Sequence, residues 1–340
     1  MTQIKATIFR VADPSIVQGS AFKSQWQGIF NKRGLELTKL ILAIFAQISI
    51  SFLGHAAQAE VSVAARLAEG QPTVVVAHRS ALLGGFPENT LAWLQYAIER
   101  GVDAVHINPQ RTRDGRYVLM HDQTLNRMTD VEAVFPDGPI GGPTRIQQGG
   151  RDYLGYYTLD EINRLHIPAD HASGGFRIPT LGEALDVVNG RAIVLLGLKS
   201  YDTPTLAAAL QNRDLRNVLL FDLYVTGTDQ SKLRELAQTT GLGVHVALYQ
   251  SRDYLDDLNG AYEELGSSLE GVHVRSRRLT PDFLSRLDDL SVRLFISGWD
   301  GAEDYALVEN GDPDPWKAAF AVGAGVLTDQ PEAVLELLGR

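Results

Sequence analysis

The chain has 340 residues, 44% of them hydrophobic and 21% charged, which are the proportions of a globular protein and exclude a disordered, collagen-like or coiled-coil chain. Its formal net charge of −10 opposes contact with nucleic acid. With no cysteine it has neither disulfides nor thiolate metal sites.

Residues 1–59 hold six Lys/Arg and two Asp/Glu, so the acidic excess belongs to the rest of the chain. The stretch KRGLELTKLILAIFAQISISFLGHAAQAE has the three parts of a secretory signal. Lys32, Arg33 and Lys39 form a basic flank, Leu40 to Gly54 is apolar, and Ala57-Gln58-Ala59 is a small-x-small cleavage site. The apolar run is shorter than the ~20 residues of a membrane span. The expectation is a leader over 1–59 and a mature start at Glu60. The product is then periplasmic or secreted, with no stable membrane span.

From 60 to 340 a single domain is expected. Val-, Ile- and Leu-rich runs read as strands at TVVVAH (73–78), DAVHIN (103–108), RYVLMH (116–121), AIVLLGLK (192–199), NVLLFDL (217–223), GVHVALY (243–249), GVHVRS (271–276), VRLFIS (292–297) and GVLTD (325–329). Between them lie helices with readable starts. Asn89 or Thr90 can cap LAWLQYAIER, Thr158 and Glu161 form a capping-box pattern, and Pro179-Thr180 opens LGEALDVV. Apolar strands alternating with helices imply a covered parallel sheet, and eight of them fit a (β/α)8 TIM barrel. Nine candidates are one too many. The link from Asn108 to Arg116 is too short for a crossover helix, so those two strands mark a local departure. Val131 to Tyr157, rich in Gly, Pro and Asp, reads as a surface loop near the barrel mouth.

In such a barrel the site lies where strands end. His78-Arg79, His121-Asp122, Lys199 and Asp329 all fall at such ends. Cations hold the oxygens of a phosphate ester and two imidazoles move protons, so the set suits phosphodiester chemistry. Trp299, after the strand VRLFIS, is a candidate substrate wall. Trp93 and Tyr96 read as helix packing, and His245 and His273 as core or rim residues.

The runs AHRSALLGGFPENTLAWLQYAIERGVDA, RTRDGRYVLMHDQTLNRMTD, TLDEI, IPTLGEAL and GVLTDQP resemble the glycerophosphodiester phosphodiesterase family, in its periplasmic bacterial branch, within the PLC-like phosphodiesterase superfamily. The resemblance runs from Val74 to Leu338. It implies a barrel that hydrolyses glycerophosphodiesters to an alcohol and glycerol 3-phosphate. It also implies His78 and His121 as general acid and base, Arg79 and Lys199 on the phosphate, and Glu88 lining the site. A calcium or magnesium ion is implied, held by an E-x-D pair and a third glutamate two residues before the lysine. Here those three positions read His106, Asn108 and Gly197, and Ser80 replaces the usual glycine after His-Arg. A hard cation wants charged oxygen donors, and these residues supply none.

Three readings follow. The first is a phosphodiesterase working without the usual metal, with positive charge from Arg111, Arg113 or a protonated His106. The second is a catalytically silent barrel that binds a phosphorylated polyol or lipid headgroup. The third is a changed metal such as zinc, begun by His106, His121 and Asp122. In all three the partner is a small phosphodiester or a lipid headgroup.

Overall fold

A computed structural model describes residues 61–81, 83–168, 175–299 and 302–340. The leader expected over 1–59 lies outside the described residues.

Eight parallel strands close a barrel. In chain order they are β1 (Val74–Ala77), β2 (Ala104–Ile107), β7 (Ile193–Gly197), β8 (Val218–Leu223), β9 (Val244–Ala247), β10 (Leu269–Val274), β11 (Arg293–Ser297) and β12 (Gly325–Thr328). Their order around the ring is β1-β12-β11-β10-β9-β8-β7-β2. These are eight of the nine expected strands. Side chains alternate along each strand, so each strand feeds two cores. Val75, Val105, Leu196 and Val246 point outward into the layer shared with the helices. Val74, Val76, Leu195 and Leu327 point inward and fill the barrel.

Bulky rings inside the barrel sit over glycines on the neighbouring strand. His245 is the register partner of Gly271, and Phe295 of Gly325. A side chain at either glycine would overlap the facing ring, so only glycine lets the ring lie flat there. His245 Nδ1 and His273 Nε2 are 3.1 Å apart in this core, the packing role expected of them.

The ninth run leaves the barrel, as the short link required. β3 (Pro109–Arg111) pairs antiparallel with β4 (Tyr117–Leu119), with Gly115 at positive φ in the turn. Asn108 is the joint between β2 and this hairpin. Its carbonyl accepts from Met120 N–H at 2.9 Å. Buried Gln110 donates to the carbonyls of Met120 and His121 at 2.7 and 3.1 Å. These bonds fix the chain that carries His121.

A two-residue ladder, β5 (His166–Ile167) with β6 (Phe176–Arg177), lies beyond the hairpin. The segment from Val131 to Tyr157 is not the bare surface loop expected. It opens with a short helix, Val131–Val134, and packs Val131, Phe135, Leu154 and Tyr157 into a third core with Val118 and Met120 of the hairpin. Burial of these apolar side chains outweighs the local turn composition. Tyr157 Oη donates to buried Asp152 at 2.6 Å, so this tyrosine anchors the segment.

Helix starts follow the sequence. Thr90 Oγ1 accepts from Trp93 N–H at 3.2 Å, and Thr158 and Thr180 each form a complete capping box. Asn89 is not a cap. It adopts a φ of 60° and turns its amide to Asn108. Trp93 is fully buried, its Nε1 donating to Ala81 O at 2.7 Å.

Candidate active site

At the C-terminal ends of the barrel strands lies a cavity of about 210 Å³. His78 and Arg79 enter it after β1, His106 from β2, and Lys199 after β7. Asp222 of β8, Tyr249 after β9, Trp299 after β11 and His121 after β4 complete the wall. Six residues singled out in the sequence, His78, Arg79, His106, His121, Lys199 and Trp299, therefore meet in one place.

His78 Nδ1 is 2.8 Å from Asp329 Oδ1. Ser80 Oγ lies 2.8 Å from the same ring nitrogen and donates to the same carboxylate oxygen at 2.8 Å. A carboxylate only accepts, so the ring proton sits on Nδ1 and Nε2 keeps its lone pair. His121 repeats the arrangement, with Nδ1 2.8 Å from Asp122 Oδ1. Burial is the main influence on both rings and holds both below the usual imidazole pKa, against the pull of their carboxylates.

Arg127, which carried no signal in the sequence, ties the second histidine to the first loop. Its Nε pairs with Asp122 Oδ2, and its Nη2 reaches Glu88 Oε1 at 2.5 Å. Arg127 holds the Asp122 carboxyl down at about 2. Glu88 also accepts from Arg79 Nη1 at 2.6 Å. Glu88 was expected to line the site. It instead bridges two arginines, and the cavity wall passes to Arg79.

The phosphate-seeking groups are only partly paired. Arg79 Nε is buried with no hydrogen-bond partner, and no ion pair or hydrogen bond holds Lys199 among the described residues. Burial lowers the Lys199 pKa, with Asp222 opposing. Trp299 lines the cavity and stacks on His78 with ring centroids 4.4 Å apart, and its buried Nε1 has no partner among the described residues.

The expected metal positions do not fit calcium or magnesium. His106 Nε2 is 3.3 Å from Asn108 Nδ2, which donates to Gly197 O at 3.1 Å. The Asn108 backbone N–H donates to Asn89 Oδ1 at 3.0 Å. A side chain on Gly197 would overlap both His106 Nε2 and Asn108 Nδ2. The imidazole thus fills the space into which residue 197 would reach. Burial keeps His106 well below the usual pKa and therefore neutral. Among the described residues no three His, Asp or Glu side chains converge as a metal site, so His106, His121 and Asp122 do not begin the zinc site considered above.

The expected substitute cations also move. Arg113 pairs with Glu161 at 3.2 Å, Arg111 sits in the hairpin beside Gly115, and neither lines the cavity. The barrel strand ends at Ile107, and Asn108 turns the chain into the hairpin that carries Arg111.

A family model, the glycerophosphoryl diester phosphodiesterase family, matches residues 78–251. A glycerophosphodiester phosphodiesterase of Bacillus altitudinis is 29% identical over 131 residues, 37% of this chain and 44% of that protein. One of Caldanaerobacter subterraneus is 32% identical over 121 residues, 35% of this chain and 42% of that protein. The match spans less than half the length of either relative. The crystal structure of a glycerophosphoryl diester phosphodiesterase from Parabacteroides distasonis has a TM-score of 0.60 at 19% identity, covering 80% of this chain and 88% of that one. The structure of an Oleispira antarctica phosphodiesterase in complex with the product sn-glycerol-3-phosphate has a TM-score of 0.58 at 19% identity, covering 79% and 98%. These structures share the fold.

Proposed function

The chain belongs to the glycerophosphoryl diester phosphodiesterase family, and from that premise we propose that it hydrolyses glycerophosphodiesters without a divalent cation, with His78 and His121 as the proton-transfer pair. The observation that carries this reading is two imidazoles, each held at Nδ1 by a carboxylate, beside Arg79, whose Nε has no partner among the described residues, and Lys199, which none of them pairs.

Arg79 and Lys199 take the anionic oxygens of the diester. One imidazole removes a proton from water as its oxygen bonds to phosphorus. The other protonates the departing alcohol oxygen as its bond to phosphorus breaks. The products are an alcohol and glycerol 3-phosphate. Charge on the phosphoryl oxygens is met by the guanidinium and the ammonium in a partly desolvated cavity, where such contacts are stronger than in water.

The test is glycerol 3-phosphate release from a panel of glycerophosphodiesters in EDTA, calcium and zinc. Undiminished turnover in EDTA is expected. Turnover that needs added metal overturns the metal-free step. A folded protein with no turnover in any condition supports the second reading, a barrel that binds a phosphorylated polyol or lipid headgroup and leaves it intact. The absence of charged oxygen donors at 106, 108 and 197 favours that alternative.

The same proposal places the protein in the periplasm or outside the cell, on the leader expected over 1–59. Mass spectrometry of the exported protein should find Glu60 at its N-terminus, and retention of residues 1–59 would refute this part. No helix of the described residues is long and apolar enough to cross a membrane.

A further inference from the structure

The cavity has two chemically unlike sides. His78 and Arg79 follow β1, and Lys199 follows β7. Around the ring, β9 lies four strands from β1 and β8 lies three. Asp222 and Leu223 of β8, with Tyr249 after β9, therefore form the wall across the barrel from His78. Asp222 supplies the one carboxylate among the described residues lining the cavity.

That carboxylate is poorly compensated. Its own neighbour Leu223 donates an N–H at 2.8 Å, and no other hydrogen bond reaches it among the described residues. Burial pushes its pKa up to about 6, with Lys199 and Lys232 opposing from a distance. A phosphate is repelled by this wall and drawn to Arg79 and Lys199. A bound diester then turns its second alcohol toward Asp222, Tyr249 and Leu223. An anionic group there meets a like charge, and a neutral polyol leaves the desolvated carboxylate without a counter-ion. An alkylammonium group supplies the counter-ion that the carboxylate lacks.

We propose that Asp222 is a specificity-determining residue that selects phosphodiesters whose second alcohol carries an ammonium group. This rests on the phosphodiester reading of the same cavity.

The experiment is calorimetric titration of the full chain carrying His78→Ala, which leaves ligands uncleaved, with and without Asp222→Asn. The two probes are glycerophosphocholine and glycerophosphoglycerol. Glycerophosphocholine is expected to bind about tenfold more tightly, and Asp222→Asn to bring the two within about twofold. Equal affinity with Asp222 in place overturns the proposal and leaves the phosphodiester reading standing. Equal weakening of both probes by Asp222→Asn also overturns it, because Asp222 then acts only through Lys199. If neither probe binds, the phosphodiester reading of the cavity fails and this proposal fails with it. Asparagine is nearly isosteric and removes a desolvated charge, so the fold should survive. Asp222→Ser repeats the comparison in a second background, with a thermal melt on each.

Discussion

His78→Ala is expected to lower turnover at least about 10³-fold, within the range for loss of a positioned acid or base. Its imidazole carries three features at once. Asp329 and Ser80 fix its Nδ1, Trp299 stacks on its face, and it lines the cavity with Arg79. The pH profile gives an independent check. Burial lowers the pKa of both His78 and His121, and kcat/KM reports the free enzyme. One ring must be neutral and the other protonated, so the two act as a coupled pair. Both limbs of the bell then fall at or below about 6.5, the usual imidazole value, and the optimum is acidic. The rate should decline above neutrality as the acid partner loses its proton. His78→Ala removes the bell together with the rate. A rate within threefold of the unsubstituted protein, at an unchanged melting temperature, would rule His78 out of the chemistry. An optimum above pH 7 would rule out this pair of buried imidazoles as its source.

Much of this arrangement is legible in the chain, and the reasons differ by residue. The eight barrel strands are near-continuous apolar runs because both of their faces are covered, a pattern strong enough to read directly. Because the fold puts strand ends at one mouth, His78, His121, Lys199 and Asp329 could be grouped from strand ends alone. Arg127 could not. It lies in a loop with no periodic pattern, and its link to Glu88 spans 39 residues of sequence. Asp222 sits inside an apolar run, NVLLFDL, where one acidic residue looks like a solvent-facing strand position. Its place on the cavity wall depends on where the strand ends relative to its neighbours, and that register is set by tertiary pairing. The role of Glu88 moved for a related reason. The resemblance placed it at the site, but only the fold brings Arg127 close enough to share it with Arg79. The segment from Val131 to Tyr157 misled because its glycines and prolines dominate by count. The four apolar residues that build its core are spread over 27 positions without a period.

Gly197→Glu alone is expected to destabilise the barrel by about 3 kcal/mol or more, from overpacking of a closed core and burial of an unpaired carboxylate. At roughly 2–4 °C per kcal/mol for a domain of this size, the melting temperature should fall by about 10 °C. The cause is local. Position 197 is fully buried at the end of β7, and a Cβ there would overlap the His106 ring and the Asn108 amide. His106 and Gly197 thus form a matched pair: the ring occupies what a longer residue 197 would need. It follows that the implied ligand set can return only as a unit. His106→Glu removes the ring, Asn108→Asp ends the amide's hydrogen bond to Gly197 O and frees that side chain to turn, and Gly197→Glu then supplies a third carboxylate. The triple variant is expected to recover most of the lost stability when calcium is present, because three charged oxygen donors around one point bind calcium and a ligand that binds only the folded state raises the melting temperature. Calcium should leave the melting temperature of the unsubstituted protein and of Gly197→Glu unchanged. The readout is thermal melting in EDTA and in calcium, separate from any measure of turnover. If Gly197→Glu melts like the unsubstituted protein, the His106 ring does not occupy this space and the matched pair is refuted. If the triple variant folds and calcium leaves its melting temperature unmoved, the metal positions carried over from the family resemblance are misplaced.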